Sequence, residues 1–215
     1  MIRKLLTAAI FTLCGTGAFA QLFSNGSELS SLSDFKDGKF QFHSVKSIYW
    51  SQIVNEGRNY VDRSEKVWVP ARLYLPKTTS TKVPAMVIMH GIGGLYMRNG
   101  QKRAYWEYAE MLVENGIASV VVDTQGARGV GVTNQLGSTE VSVYTFAADA
   151  FAAADMLRTH PAIDPDRIGI MGFSKGGMTT LLATDRRFVS SLSRSASMFK
   201  LHVPIYPGCQ NYPEN

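Results

Sequence analysis

A serine set between two glycines is the feature of this sequence that most directly indicates chemistry. The pattern G-x-S-x-G is matched by residues 172–176, Gly-Phe-Ser-Lys-Gly, and in this pattern a sharp strand-to-helix turn exposes a nucleophilic hydroxyl. The glycines are needed because side chains two positions either side of the serine would collide with the neighbouring strand and helix. A strand is predicted at 167–171 and a helix at 178–184, so the motif has the required context. We expect Ser174 to be a nucleophile; a plain glycine turn is the alternative.

A second glycine-rich turn, residues 90–94 (His-Gly-Ile-Gly-Gly), follows a predicted strand at 85–89. Attack by a serine on an acyl group places negative charge on the former carbonyl oxygen, and fixed backbone N–H groups stabilise that charge. The expected donors are the N–H of Lys175, just after the nucleophile, and one from this turn, most simply that of Ile92. Alternatively, the glycines only let the strand exit.

A general base for Ser174 is hard to find. The chain has four histidines. His43 precedes the first predicted strand, and His90 belongs to the second glycine turn. His160 ends a predicted helix that leads away from the site, and His202 begins a strand at the wrong edge of the sheet. None of the four suits the role of a base.

Two charged residues follow the predicted strand at 117–122, at the same edge of the sheet as Ser174. Asp123 more often caps the loop that follows such a strand than takes part in catalysis. Arg128 either binds a substrate carboxylate or braces the loop, and bracing is the commoner role. No group of His, Cys, Asp or Glu has the spacing of metal ligands, and no glycine turn has the G-x-G-x-x-G spacing of a dinucleotide loop, so no metal or cofactor is expected.

Strands and helices are predicted to alternate along most of the chain. Six strands are predicted, of which the first two form an antiparallel pair at a sheet edge and the others are apolar enough to be covered on both faces. This pattern predicts an α/β fold with a mostly parallel sheet and helices on both faces. The predicted strands are 45–50, 66–75, 85–89, 117–122, 167–171 and 203–206, and the predicted helices are 104–115, 141–159 and 178–184.

Composition fits one exported domain. The 215 residues are 45% hydrophobic and 18% charged, and the net charge of +5 is too scattered to indicate nucleic-acid binding. Residues 1–20 are typical of a signal peptide, which predicts a periplasmic or secreted protein with no membrane segment after cleavage; a buried N-terminal helix is the alternative. Residues 21–40 are expected to be a loosely ordered lead-in, followed by the domain at 41–215. Cleavage would leave Cys209 as an odd thiol.

Several segments together resemble the dienelactone hydrolase family of α/β-hydrolases, over roughly residues 65–212. They are residues 164–169 running into 172–177, residues 203–209, and Asp123 followed by Arg128-Gly129. The resemblance implies the α/β-hydrolase fold, a small ester or lactone substrate, and a triad whose Asp and His follow later strands. Those two residues have no counterpart here, so we expect a C-terminally truncated member. The alternative is an exported binding or scaffold protein that keeps the fold without the chemistry.

Overall fold

The computed structural model of the chain describes residues 38–48, 53, 65–77, 81–97, 100, 102–130 and 141–208. The predicted signal peptide, nearly all of the predicted lead-in and Cys209 lie outside these residues, so the statements about them stay predictions.

Six strands form one sheet within this described part of the chain. Their order across the sheet is β1-β2-β4-β3-β5-β6. β1 pairs with β2 and β2 with β4 in antiparallel fashion, whereas β4, β3, β5 and β6 are parallel neighbours. The strands are β1 (Lys39–Val45), β2 (Lys66–Tyr74), β3 (Val83–Met89), β4 (Ala118–Val122), β5 (Ile163–Phe173) and β6 (His202–Ile205).

Helices cover both faces of the sheet. α1 packs on one face, where its buried Trp106 and Leu112 join a core cluster with Ile88, Val121 and Met171 of the strands. The larger core lies on the other face, beneath α2, α3 and α4. The helices are α1 (Tyr105–Glu114), α2 (Val143–Thr159), α3 (Lys175–Leu182) and α4 (Arg186–Leu192), with a 3₁₀ turn at Gly126–Arg128. No helix in the described ranges is long and apolar enough to cross a membrane.

The mostly parallel sheet, the antiparallel edge and the three predicted helices are confirmed, but the first strand was misplaced. β1 is Lys39–Val45, not 45–50, because alternate residues Phe40 and Phe42 face the core. The strand therefore begins inside the predicted lead-in. His43 lies within β1, so its predicted position before the first strand is wrong.

The helix α4 was not predicted from the sequence. Asp185 is its N-cap, and the Asp185 carboxylate accepts a hydrogen bond from the N–H of Arg187 at 2.8 Å. Phe188 and Leu192 attach the helix to the larger core. Seven residues are too few for a helical period to stand out, so the capping aspartate was the available signal.

Candidate active site

The serine turn is confirmed as a strained strand-to-helix corner. Ser174 joins β5 to α3 with φ 51° and ψ −111°, a conformation that residues with a side chain rarely adopt. A Cβ on Gly172 would lie 1.9 Å from the carbonyl oxygen of Gly176, and one on Gly176 would lie 2.3 Å from that of Met89. Both flanking glycines are therefore required by contact with backbone that cannot move aside, as the motif predicts.

The turn is held by backbone hydrogen bonds, one of them to β6, and opens a helix. The N–H of Ser174 donates to Ile205 O at 3.0 Å, and Ser174 O accepts from the N–H of Met178 at 2.9 Å. Lys175 is the first residue of α3, and the N–H groups of a first helical turn have no acceptor within the helix. Ser174 itself is half-buried. The arrangement can therefore present a hydroxyl and an unused helix N–H to the same small volume.

The loop after β3 reaches the serine turn. A Cβ on Gly91 would lie 3.4 Å from Ser174 Cβ and 3.3 Å from Phe173 O, so the two segments lie in close contact here. The N–H of Gly91 donates to the Tyr105 hydroxyl at 3.1 Å. The structure thus brings together the two segments that the sequence singled out, the turn with Ser174 and Lys175 and the loop with Ile92.

His90 supports the loop and does not serve as a base. Its side chain is fully buried, edge-on to Phe146 with ring centroids 5.0 Å apart. Nδ1 lies 2.7 Å from Gly91 O, a carbonyl that can only accept, so the proton sits on Nδ1. Burial lowers the pKa of His90, which keeps the ring neutral. Nε2 has no hydrogen-bond partner.

The other three histidines are also engaged elsewhere. His43 stacks on Trp68 at the sheet edge, with centroids 3.6 Å apart. His160 is the C-cap of α2, and its Nδ1 accepts from the N–H of Ala162 at 3.2 Å. His202 Nε2 lies 3.3 Å from Ala183 O. All four histidines of the chain are described, and none of them hydrogen-bonds Ser174.

Lys175 has a partly buried side chain. Its ammonium lies 5.4 Å from the centroid of the Phe146 ring, in cation–π geometry. Burial lowers the pKa of Lys175. Since the side chain of Lys175 contacts Phe146, the group of Lys175 expected to bind an oxyanion remains its backbone N–H.

Arg128 braces the loop after β4, the commoner of the two roles expected for it. Its guanidinium pairs with both carboxylate oxygens of Asp149 at 2.9 Å, and the side chains are 6% and 0% exposed. It also donates to Thr124 O and Lys46 O at 2.7 Å each, and to Val45 O. These bonds use all five donors of an arginine, so none is left for a ligand.

Burial raises the pKa of Asp149, and the adjacent Arg128 opposes this by stabilising the carboxylate. Asp123 has the predicted capping role, since its carboxylate accepts from the N–H of Gly126 at 2.9 Å.

Gln125 is a site residue to which the sequence analysis gave no role. Its side chain is 2% exposed, and Nε2 donates to Ile92 O at 2.8 Å. Its position three residues beyond the end of β4 was a usable signal, because β4 and β3 are parallel neighbours whose following loops meet.

A cavity of about 450 Å³ lies beside this site, on the α1 face of the sheet. Arg72, Leu95, Tyr96, Trp106 and Asp123 are among its lining residues, and Ser174 is not. Of the aromatic residues near the loop after β3, Tyr96 is 39% exposed, whereas Tyr105 and Trp106 are buried and belong to the core. No cluster of metal-ligating side chains occurs in the described segments.

Comparison with known proteins gives partial matches. The sequence profile of the prolyl oligopeptidase family matches residues 104–194, which include the serine turn. Human arylacetamide deacetylase-like 2 is 31% identical over 147 residues, covering 66% of this chain and 34% of that protein. Thiohydrolase aneE of Aspergillus aculeatus is 32% identical over 111 residues, covering 51% of this chain and 31% of that protein. The chain thus spans about a third of the length of these curated relatives.

Among solved structures, Est1E from Butyrivibrio proteoclasticus aligns with a TM-score of 0.46 and 22% identity, covering 66% of this chain and 47% of that one. The molecule itself has the features of this fold: a parallel sheet with an antiparallel edge, and a strained serine at the carboxyl end of β5. With the family match and the two relatives in support, the chain has the α/β-hydrolase fold.

Proposed function

We propose that the chain carries the nucleophile half of a serine hydrolase that cleaves a small ester or lactone, in the manner of the dienelactone hydrolases it resembles. One observation carries the proposal: the strained Ser174 lies against a glycine loop, 3.4 Å from the position of a Gly91 Cβ, where two segments can offer N–H groups. A strained residue in a tight corner is costly, and such strain concentrates at functional sites. The two relatives whose names state an activity, a deacetylase-like protein and a thiohydrolase, support acyl chemistry.

The proposed reaction follows from the placement of these groups. Ser174 Oγ attacks the carbonyl carbon and gives its proton to a base, while the carbonyl π electrons move to the oxygen. The N–H groups of Ile92 and Lys175 stabilise that oxyanion. Collapse of the intermediate expels the alcohol, which takes up the proton, and leaves an acyl-serine. Water then repeats the sequence and releases the acid.

The base is proposed to lie outside the described residues. Every histidine of the chain has a partner or packing role away from Ser174, as described above. The resemblance to dienelactone hydrolases implies an Asp and a His that follow later strands. We propose that such a segment completes the triad and that the 215 residues are part of a longer protein.

The test is hydrolysis of p-nitrophenyl acetate by two proteins: the 215-residue chain and the longest product that its reading frame encodes. The longer protein is expected to turn over the ester and to lose at least about 10³-fold in kcat with Ser174→Ala. Ser190→Ala is the matched control, because the Ser190 hydroxyl only donates to Arg187 O on α4. A longer protein without Ser174-dependent turnover would exclude the hydrolase proposal.

The absence of a histidine bonded to Ser174 favours a second candidate, an exported binding or scaffold protein with the same fold. In that case Ser174→Ala would leave every ligand or partner interaction unchanged.

Fractionation of the source cells tests export separately, since a signal peptide at 1–20 predicts a mature chain that begins at Gln21.

A further inference from the structure

Gln125 joins two loops that are far apart in the sequence. It lies in the loop after β4, and its Nε2 donates to the carbonyl oxygen of Ile92, 33 residues earlier, at 2.8 Å. The oxygen and nitrogen of a glutamine side chain are hard to tell apart by shape, but a carbonyl partner requires an N–H donor. The amide nitrogen of Gln125 therefore faces Ile92, and Gln125 itself is buried.

This bond completes the fixing of the Ile92 backbone. On its N-terminal side, Gly91 O accepts from the N–H of Gly94 at 3.1 Å and lies 2.7 Å from His90 Nδ1. On its C-terminal side, Ile92 O accepts from Gln125. Each peptide unit is planar, so anchoring the carbonyl of a unit also fixes the N–H of the same unit. The Gly91–Ile92 unit, which carries the N–H of Ile92, is anchored through Gly91 O. The Ile92–Gly93 unit, which carries the N–H of Gly93, is anchored by Gln125, so neither unit can rotate independently.

Gln125 is itself held on a rigid base. Its carbonyl oxygen accepts from the N–H groups of Arg128 and Val130 at 3.0 and 3.1 Å. Arg128 in turn is bound by Asp149 of α2 and by Thr124 O, as described above. The chain of contacts therefore runs from a buried ion pair on α2, through the loop after β4, to the peptide of Ile92.

We propose that Gln125 is a positioning residue of the oxyanion site: it anchors the peptide unit on the C-terminal side of Ile92, and with the unit before it anchored through Gly91 O, the N–H of Ile92 stays aimed at the developing charge above Ser174. The inference rests on the proposed function and deepens it. N–H donors help a transition state only if they are already oriented when charge develops, and displacements of about 1 Å can cost about a hundredfold in rate. Gln125 contacts the loop and not the substrate, so its effect acts through Ile92.

Three variants separate this role from a general loss of stability. Gln125→Met keeps the length of the side chain and removes the donor. Gln125→Glu also removes the donor at neutral pH, but a protonated glutamic acid can donate an O–H to Ile92 O. Thr145→Val is the control, because it removes other buried hydrogen bonds, those of Thr145 Oγ1 with Ile48 and Ser142, and neither partner belongs to the two loops.

Kinetics on p-nitrophenyl acetate are measured with the longest product of the reading frame. Gln125→Met is expected to lower kcat roughly tenfold to a hundredfold with little change in KM, since the lost interaction matters only in the transition state. Gln125→Glu is expected to match it at pH 8 and to recover toward the wild type as the pH falls, with rates compared at equal pH. Thr145→Val is expected to retain wild-type kcat. Wild-type kcat in both Gln125 variants, or equal recovery of Gln125→Met at low pH, would overturn the inference.

A second measurement does not depend on turnover. In the 215-residue chain, the backbone amide resonances of Ile92 and Gly93 are followed by ¹⁵N NMR. Gln125→Met is expected to shift both resonances, whereas Thr145→Val is expected to shift neither. Gln125→Glu is expected to shift both at neutral pH, and acidification is expected to reverse that shift. Unshifted resonances would overturn the inference even if the enzyme is active. Shifted resonances in a protein without Ser174-dependent turnover would instead uphold the contact and reject the hydrolase.

Discussion

Two regions at the same edge of the sheet have their backbone conformations determined by different interactions. The serine turn, residues 172–177, takes its shape from steric exclusion: its three glycines sit where a Cβ would overlap backbone, and Ser174 adopts a strained conformation. The loop after β4, residues 123–130, takes its shape from side-chain hydrogen bonds, above all those of Arg128 and Gln125. The first kind of constraint is marked by glycines within a few residues of sequence, although Gly176 meets Met89 of β3, and the second depends on side-chain partners that only the fold brings near.

The largest effect is expected where the β4 loop loses its buried pair. Arg128→Met leaves the Asp149 carboxylate, which is 0% exposed, without its counter-ion. Removing one partner of a buried pair typically costs about 3–5 kcal/mol of unfolding free energy, because the other charge stays desolvated. Urea unfolding followed by circular dichroism measures the loss.

The control for this prediction is the same substitution at an exposed pair. Arg167 bonds Asp164 at 2.6 Å, but its side chain is 54% exposed. Arg167→Met is expected to cost less than about 1 kcal/mol, the usual value of a surface ion pair. Equal losses at the two arginines would mean that burial does not strengthen the dependence on Arg128, and the contrast between the two regions would fail.

This contrast explains what could be predicted from the sequence. The serine turn was found because the residue types it needs stand in five adjacent positions, and the parallel strands because they are short apolar runs. Gln125 was passed over and Arg128 left with two roles, since their partners Ile92 and Asp149 lie 33 and 21 residues away. The base could not be assigned, because no local pattern tells a histidine that supports a carbonyl, such as His90, from one that takes a proton.

The start of the fold was missed for a related reason. Residues 45–50 are as rich in β-branched and aromatic side chains as a strand should be, yet the strand that pairs with β2 is Lys39–Val45. Its placement depends on Gly38, whose φ of +68° lets its carbonyl accept from the N–H of Leu73 at 2.6 Å. Strand propensity reports which residues suit a pleated surface, whereas pairing with a distant strand decides which ones are used.

The serine turn is expected to be intolerant of a single added methyl group. Gly172→Ala would place Cβ 1.9 Å from Gly176 O, so the turn must shift, at a cost of about 3 kcal/mol, the upper part of the range for overpacking. Gly129→Ala is the matched control from the other region. Gly129 has φ +67° but open space around its Cβ position, so only the conformational penalty of about 1 kcal/mol applies. Unfolding free energies of the two variants measure the difference, and similar values would show that contact with backbone is not what shapes the turn.

The smallest effect is a gain in stability at the nucleophile itself. Ser174→Gly removes the side chain that makes φ 51° unfavourable, which relieves about 1–3 kcal/mol of strain. Glycine loses more backbone entropy on folding than other residues, by about 0.5–1 kcal/mol, so the net gain is expected to be about 1 kcal/mol. Ser174→Ala keeps a Cβ and removes only the hydroxyl, and it is expected to unfold at the wild-type urea midpoint. If Ser174→Ala and Ser174→Gly stabilised the protein equally, the destabilising contribution of Ser174 would come from the surroundings of its hydroxyl and not from its backbone conformation. The turn would then be held by polar contacts like those of the loop after β4.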